Sequence, residues 1–164
     1  MNKTIFYNFL VNKEKNEIKV ERSFNAPIDL VWDAWTDPEI IDQWWAPKPW
    51  YSKTKCMNFE VGGRRLYAMC SPEGQEHWSI QDYIKISPKT NFKFISAFVD
   101  KDENINTKFA SSEWNLIFSE TNGVTTVRIT IKHKSLADLE QNIIMGFKEG
   151  FTKTLNYLEK ILTK

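Results

Sequence analysis

The sequence predicts an α+β fold in which a curled antiparallel sheet wraps one long C-terminal helix. Three observations predict it. Over residues 51–131 apolar side chains recur at every second position, in strand-length runs separated by turn residues. Over residues 136–162 the apolar period becomes that of a helix. Between a first pair of strands and the long run, residues 22–45 carry four of the chain's seven Trp on two short helix-like segments.

Residues 4–11 and 18–24 read as two strands joined by a polar turn at 12–16. In the second, Ile18, Val20 and Phe24 alternate with Lys19, Glu21 and Ser23. Pro27 suits the first turn of a helix, where its missing N–H costs nothing. Ile28, Val31, Trp32 and Trp35 then follow at i, i+3, i+4 and i+7, one helical face. Thr36 and Glu39 have the spacing of a capping box, with Pro38 again in a first turn. Ile40, Ile41, Trp44 and Trp45 form the inner face of this second helix, and Pro47 and Pro49 end it. The pair makes an elbow whose apolar faces look inward and which carries no basic recognition surface.

The meander comprises about six strands. Residues 54–61 and 64–70 flank Gly62-Gly63, which reads as a hairpin turn rather than a phosphate loop. Residues 78–86 follow, then a strand with Phe92, Phe94 and Phe98. After a polar loop, Trp114, Leu116 and Phe118 face inward. Thr121-Asn122-Gly123 turns the chain into Val127, Ile129 and Ile131. A sheet of that many strands must twist and curl. Ser135 caps the last element, predicted as one continuous helix. Leu136, Leu139, Ile143, Ile144, Phe147, Phe151, Leu155, Leu158, Ile161 and Leu162 fall on one side at 100° per residue. Gly146 and Gly150 lie at the margin of that face. Each costs about 1 kcal/mol of helix propensity, offset by close helix–sheet approach or by room for a ligand.

A chain of 164 residues fits one domain, assigned to residues 1–164 with 1–17 as a strand-and-turn extension. Hydrophobic residues at 41% and charged residues at 26% are ordinary, but 14% aromatic content needs a thick core or a cavity to line. The 22 basic and 21 acidic residues are interspersed, which argues against a nucleic-acid partner. No run is long enough to insert in a membrane and no export signal is recognised, so the cytoplasm is the expected location. Cys56 and Cys70 are nearly symmetric about Gly62-Gly63, so a hairpin turning there would bring them close. With no export signal, buried reduced thiols are the preferred reading.

The segments FNAPIDLVWDAWTDPEIIDQWWAP, FEVGG, AM-x-SPEG and MGFKEGF, in that order, resemble the START-like SRPBCC superfamily. The resemblance is to the branch related to the activator of the 90-kDa heat-shock protein ATPase, and it covers the chain from about Lys19. It implies a helix-grip: a curved sheet gripping the C-terminal helix, with an internal hydrophobic cavity between them. Relatives of this shape include lipid carriers, polyketide cyclases and co-chaperone domains, so it implies no single activity. The chain reads EVGG where relatives often have RPGG, and Lys85 stands where an acidic residue is common.

The leading expectation is binding of a small hydrophobic or amphipathic molecule, without catalysis. A chaperone-interacting module is the second reading. A cyclase or dehydratase using Tyr67, Tyr83 or His77 is the third, ranked last because no paired acid and base is evident. No cofactor is implied. His77 and His133 lack neighbours at metal-ligand spacing, so no metal site is expected either. Arg65, Tyr67 and Met69 share one strand face, the concave one in the helix-grip. Arg65 would hold an anionic head group there or reach from a sheet edge to water. His77 would line the cavity or stand in solvent. Trp44 and Trp45 mark the pocket mouth. Trp50, Trp78, Phe94, Trp114, Phe147 and Phe151 are wall candidates, each set against plain core packing.

Overall fold

The structure, a computed structural model, describes residues 6–163. The expected start of the first strand at Thr4 lies outside them. The elements run β1 (Tyr7–Asn12), β2 (Glu17–Phe24), α1 (Ile28–Thr36), α2 (Pro38–Ile41), β3 (Tyr51–Met57), β4 (Arg64–Cys70), β5 (Glu76–Ser87) and β6 (Asn91–Val99). They continue with β7 (Ser112–Thr121), β8 (Val124–His133), α3 (Leu136–Ile144) and α4 (Phe147–Leu162). All eight strands form one antiparallel sheet in the order β1-β2-β8-β7-β6-β5-β4-β3, with every pairing antiparallel. This is the α+β helix-grip that the sequence predicts. Among the described residues no helix is long and apolar enough to cross a membrane.

Strict alternation assigns the faces. Ile18, Val20 and Phe24 of β2, Trp114, Leu116 and Phe118 of β7, and Val127, Ile129 and Ile131 of β8 are all buried in one cluster with the helices. Asn122 and Gly123 both have positive φ, the geometry that a two-residue hairpin between β7 and β8 requires. The helix α4 lies against this concave face through Phe151, Leu155 and Leu158. Tyr7 is hydrogen-bonded to Thr152 (2.6 Å) and Arg22 donates to Asn156 (2.8 Å), tying α4 to β1 and β2.

Rings pack the elbow. Trp35 lies 4.6 Å from Trp44 and Trp44 5.4 Å from Trp45, centroid to centroid, all edge to face. Trp32 meets Phe118 at 5.0 Å. The Trp44 indole donates to the Ala34 carbonyl (2.9 Å), so its polar edge is satisfied inside the core. The cap differs from the expected one. Asp37, not Thr36, accepts the Glu39 N–H (2.9 Å), while the Thr36 hydroxyl turns back to the Trp32 carbonyl. Pro27 precedes α1 as its cap, and the Glu120 carboxylate of β7 accepts the Ile28 N–H.

Two expectations fail for backbone reasons. The strand expected to run to Val61 ends at Met57, and a bulge between Thr54 and Cys56 shifts the register. Cys56 therefore faces Leu66, and Cys70 faces Tyr51. The thiols are free and far apart in register, with Cys70 buried but Cys56 exposed. The C-terminal helix is two helices, not one. Gly146 takes φ +87, a left-handed conformation that costs other residues about 1–2 kcal/mol, and α4 restarts from it. The break changes the helical phase. Ile144 is 84% exposed and Leu136 41%, although a continuous helix would put both inside.

Candidate functional site

The core does not close completely. A cavity of about 290 Å³, open to solvent past exposed residues such as His77 and Met145, lies between the concave face, from β4 across to β8, and the pair α3–α4. Its wall contains seven of the residues expected from sequence: Trp45, Tyr67, Met69, His77, Trp114, Phe147 and Phe151. Phe147 and Phe151 stack at 5.1 Å, one helical turn apart on α4, and Trp114 meets Phe151 edge-on at 5.6 Å. These rings form the apolar side of the cavity. His77 belongs to both of its expected settings, being on the wall and exposed, with its ring 5.2 Å from Trp50.

The other five expected residues lie outside this wall. Trp44 is sealed in the elbow at 1% exposure, so it is not part of a mouth. Trp50 is half-buried against His77. Phe94 is buried behind Trp114, stacked at 5.4 Å, and supports the wall without reaching it. Trp78 follows His77 on β5 and so points to the opposite face, against Leu66, Ile80, Ala97 and Val99.

Arg65 is turned inward, as the concave assignment requires, but it is wholly buried. Its guanidinium donates to the Asp42 carboxylate (3.3 Å) and Ser52 hydroxyl (3.0 Å) through Nη2, and to the Thr54 hydroxyl (3.1 Å) through Nε. Asp42 also accepts from the Ser52 and Thr54 hydroxyls and the Thr54 N–H. The guanidinium carbon sits 4.0 Å from the Tyr67 ring centroid, a cation–π contact. Burial pushes Arg65 below the ordinary arginine value, opposed by Tyr67, Tyr83 and Asp42. Arg65 thus neither reaches water nor touches the cavity: it joins the elbow to β3 and β4. Tyr83 is sealed as well, donating to Gln81 (3.3 Å), and burial raises its phenol.

At the β8 end the wall is polar, with His133, Asp138, Gln141 and Asn142. Burial holds His133 below the ordinary imidazole value, against the raising effects of the Asn16 carbonyl and Asp138. Its Nδ1 lies 3.2 Å from the Asn16 carbonyl, which can only accept, so Nδ1 carries the proton. Nε2 then accepts from the Asn142 amide at 3.1 Å. Sequence reasoning missed these four residues although a signal existed. Asp138, Gln141, Asn142 and Met145 recur at i, i+3, i+4 and i+7, a stripe on one side of α3 that reaches the cavity. Among the described residues no group of three or more His, Cys, Asp or Glu could hold a metal ion.

Comparison with known proteins agrees with this architecture. Residues 25–163 match the family described as Activator of Hsp90 ATPase homolog 1-like protein, and the chain belongs to that family. A protein from Staphylococcus epidermidis solved by NMR is 31% identical, with 93% of each chain covered and a TM-score of 0.82. A Mycobacterium smegmatis protein is 23% identical over 97% of each chain, with a TM-score of 0.88. A Silicibacter pomeroyi protein is 21% identical, covering 90% of this chain and 97% of its own, with a TM-score of 0.72. The last two share the fold; at such identity they say nothing of a ligand. No curated protein matches the chain by sequence.

Proposed function

We propose that this family member is a binding protein that takes a small, mostly apolar molecule with one polar end into the cavity between the sheet and α3–α4. One observation carries the reading: a pocket of about 290 Å³, walled on its inner side by Trp45, Tyr67, Trp114 and Phe151, opens between the sheet and α3–α4. That volume is at the small end of the roughly 300–1,000 Å³ usual for ligand pockets. It suits a single-ring or short-chain amphiphile rather than a two-chain lipid. Burial of the ligand's apolar surface, at roughly 25 cal/mol per Å², supplies affinity, and the polar β8 end sets its direction. The enzyme reading has less support: Tyr67 and His77 reach the cavity, but among the described residues neither is hydrogen-bonded to a carboxylate that could serve as its acid–base partner, and Tyr83 is sealed.

The test is a thermal-shift and native mass-spectrometry screen with small aromatic and short-chain amphiphiles. A ligand at a hundred times its Kd adds about 2.7 kcal/mol of stability, readily seen as a higher Tm. Ser96, on the cavity wall, offers the control: Ser96→Phe should fill the space and remove the shift. If no compound stabilises the protein, or if Ser96→Phe binds as well as the native chain, the reading is wrong. The family description favours a second reading, action on a chaperone ATPase. Stimulated ATP hydrolysis by a purified 90-kDa chaperone, undiminished in Ser96→Phe, would establish that activity as independent of the cavity.

A further inference from the structure

We propose that the ligand is a protonated amine on a compact apolar body, its nitrogen held at the α3–β8 end of the cavity by Asp138 and Asn142. The inference rests on the cavity-binding reading above and adds the sign of the ligand's charge.

Among the described residues, Asp138 is the one carboxylate on the cavity wall, and no Lys or Arg lines it. The nearby His133 does not supply a positive charge: burial outweighs the raising effects of the Asn16 carbonyl and Asp138, and its Nε2 lone pair is engaged by the Asn142 amide. That engagement fixes the Asn142 amide. One N–H of its NH2 group goes to His133, and its carbonyl oxygen is oriented to accept from a ligand. The polar end of the cavity therefore presents one charged group, the Asp138 carboxylate, beside the Asn142 and Gln141 amides, whose oxygens can accept as well. Trp114, Phe147 and Phe151 flank the apolar body, and their π faces suit a cation as well.

Two positive features oppose this sign and both are weaker. Arg65 lies behind Tyr67 on β4, with three strands (β7, β6 and β5) between it and β8 in the sheet, and it is paired with Asp42. The N-terminus of α4 reaches the wall at Gly146 and Phe147. A helix dipole amounts to about half a charge. Here the C-terminal end of α3 abuts it at Met145, and Glu149 sits in its first turn.

The experiment compares 2-phenylethylamine, 2-phenylethanol and 3-phenylpropanoate, one apolar body with three head groups. Dissociation constants come from calorimetry at pH 7, and amide and indole NMR shifts locate each compound. The amine should bind at least tenfold tighter than the alcohol, and the carboxylate weakest. Asp138→Asn should bring the amine to within about twofold of the alcohol. The variant should fold, because the cap of α3 is the Ser135 hydroxyl accepting the Asp138 backbone N–H (3.1 Å). Equal binding of amine and alcohol, tightest binding of the carboxylate, or an amine preference that survives Asp138→Asn would each overturn the charge assignment and leave the cavity reading intact. If none of the three binds, or if they shift residues away from Trp114 and Asn142, both fall.

Discussion

Around Trp44 the indoles of Trp35 and Trp45 lie 4.6 and 5.4 Å away and a buried hydrogen bond ends on Ala34. Around α3 only Leu139 is buried, and Ile144 stands 84% exposed. Both regions are short amphipathic helices laid over the ends of one sheet. At the elbow, two helices joined by a single capped turn bring the indoles of Trp35, Trp44 and Trp45 into mutual contact, and the space is filled. At α3, a left-handed glycine redirects the chain, the phase of the apolar stripe is lost, and space remains. Aromatic content alone does not decide between core and cavity; the backbone that aims the rings does.

Substitution should separate the two ends. Trp44→Ala should have the largest effect, about 3–5 kcal/mol lost in urea unfolding, as for other large-to-small core changes. Phe147→Ala, at a half-buried wall position, should cost about 1 kcal/mol, below the 1.5–3 of a fully buried side chain, while markedly weakening ligand binding. Equal losses at the two positions would abolish the contrast between filled and open ends.

Gly146→Ala comes next. The positive φ should cost about 1 kcal/mol or slightly more, and the damage should be local. Amide exchange in α3 should accelerate more than exchange in α4, whose Leu155 and Leu158 are fully buried. Uniform acceleration would show that the two helices respond as one.

Acid should act least and only at α3. The folded-state value of His133 is depressed, so its contribution to stability is present above the ordinary imidazole value of about 6.5 and is lost as pH falls below it. Its immediate neighbours are the Asn16 carbonyl, the Asn142 amide and the Asp138 carboxylate, the last two on α3. Protection of the α3 amides, measured against their intrinsic exchange rate at each pH, should fall between pH 7 and 5 in the native chain, and the effect should vanish in His133→Gln. A fall in protection that persists in that variant would remove His133 from the account.

Much of the fold was legible because alternation and helical period are properties of single segments. The inward sets of β2, β7 and β8 follow directly from residues such as Val20, Leu116 and Ile129. The misreadings share a cause: a change in backbone geometry that leaves hydrophobicity untouched. The bulge at Thr54 and Cys56 shifted a register that counting from Gly62-Gly63 could not supply. Gly146 ended a helix that periodicity carried through it. For the site, Tyr67, Trp114 and Phe151 could be placed from their faces. Arg65 needed Asp42, Ser52 and Thr54, partners brought by other elements, before its role as an internal tie was visible.

The sheet order has a consequence for assembly of the fold. Pairing of β2 with β8 sets Ile18 against Ile131, so the N-terminal hairpin gains its principal neighbour only once nearly the whole chain exists. Closing so long a loop delays the return from that pairing. The meander β3–β8 is built from sequential hairpins and can form first, with β2 docking afterwards on the β8 edge. By this argument the six-stranded meander should form early, with β1, β2 and α4 docking on a surface already shaped.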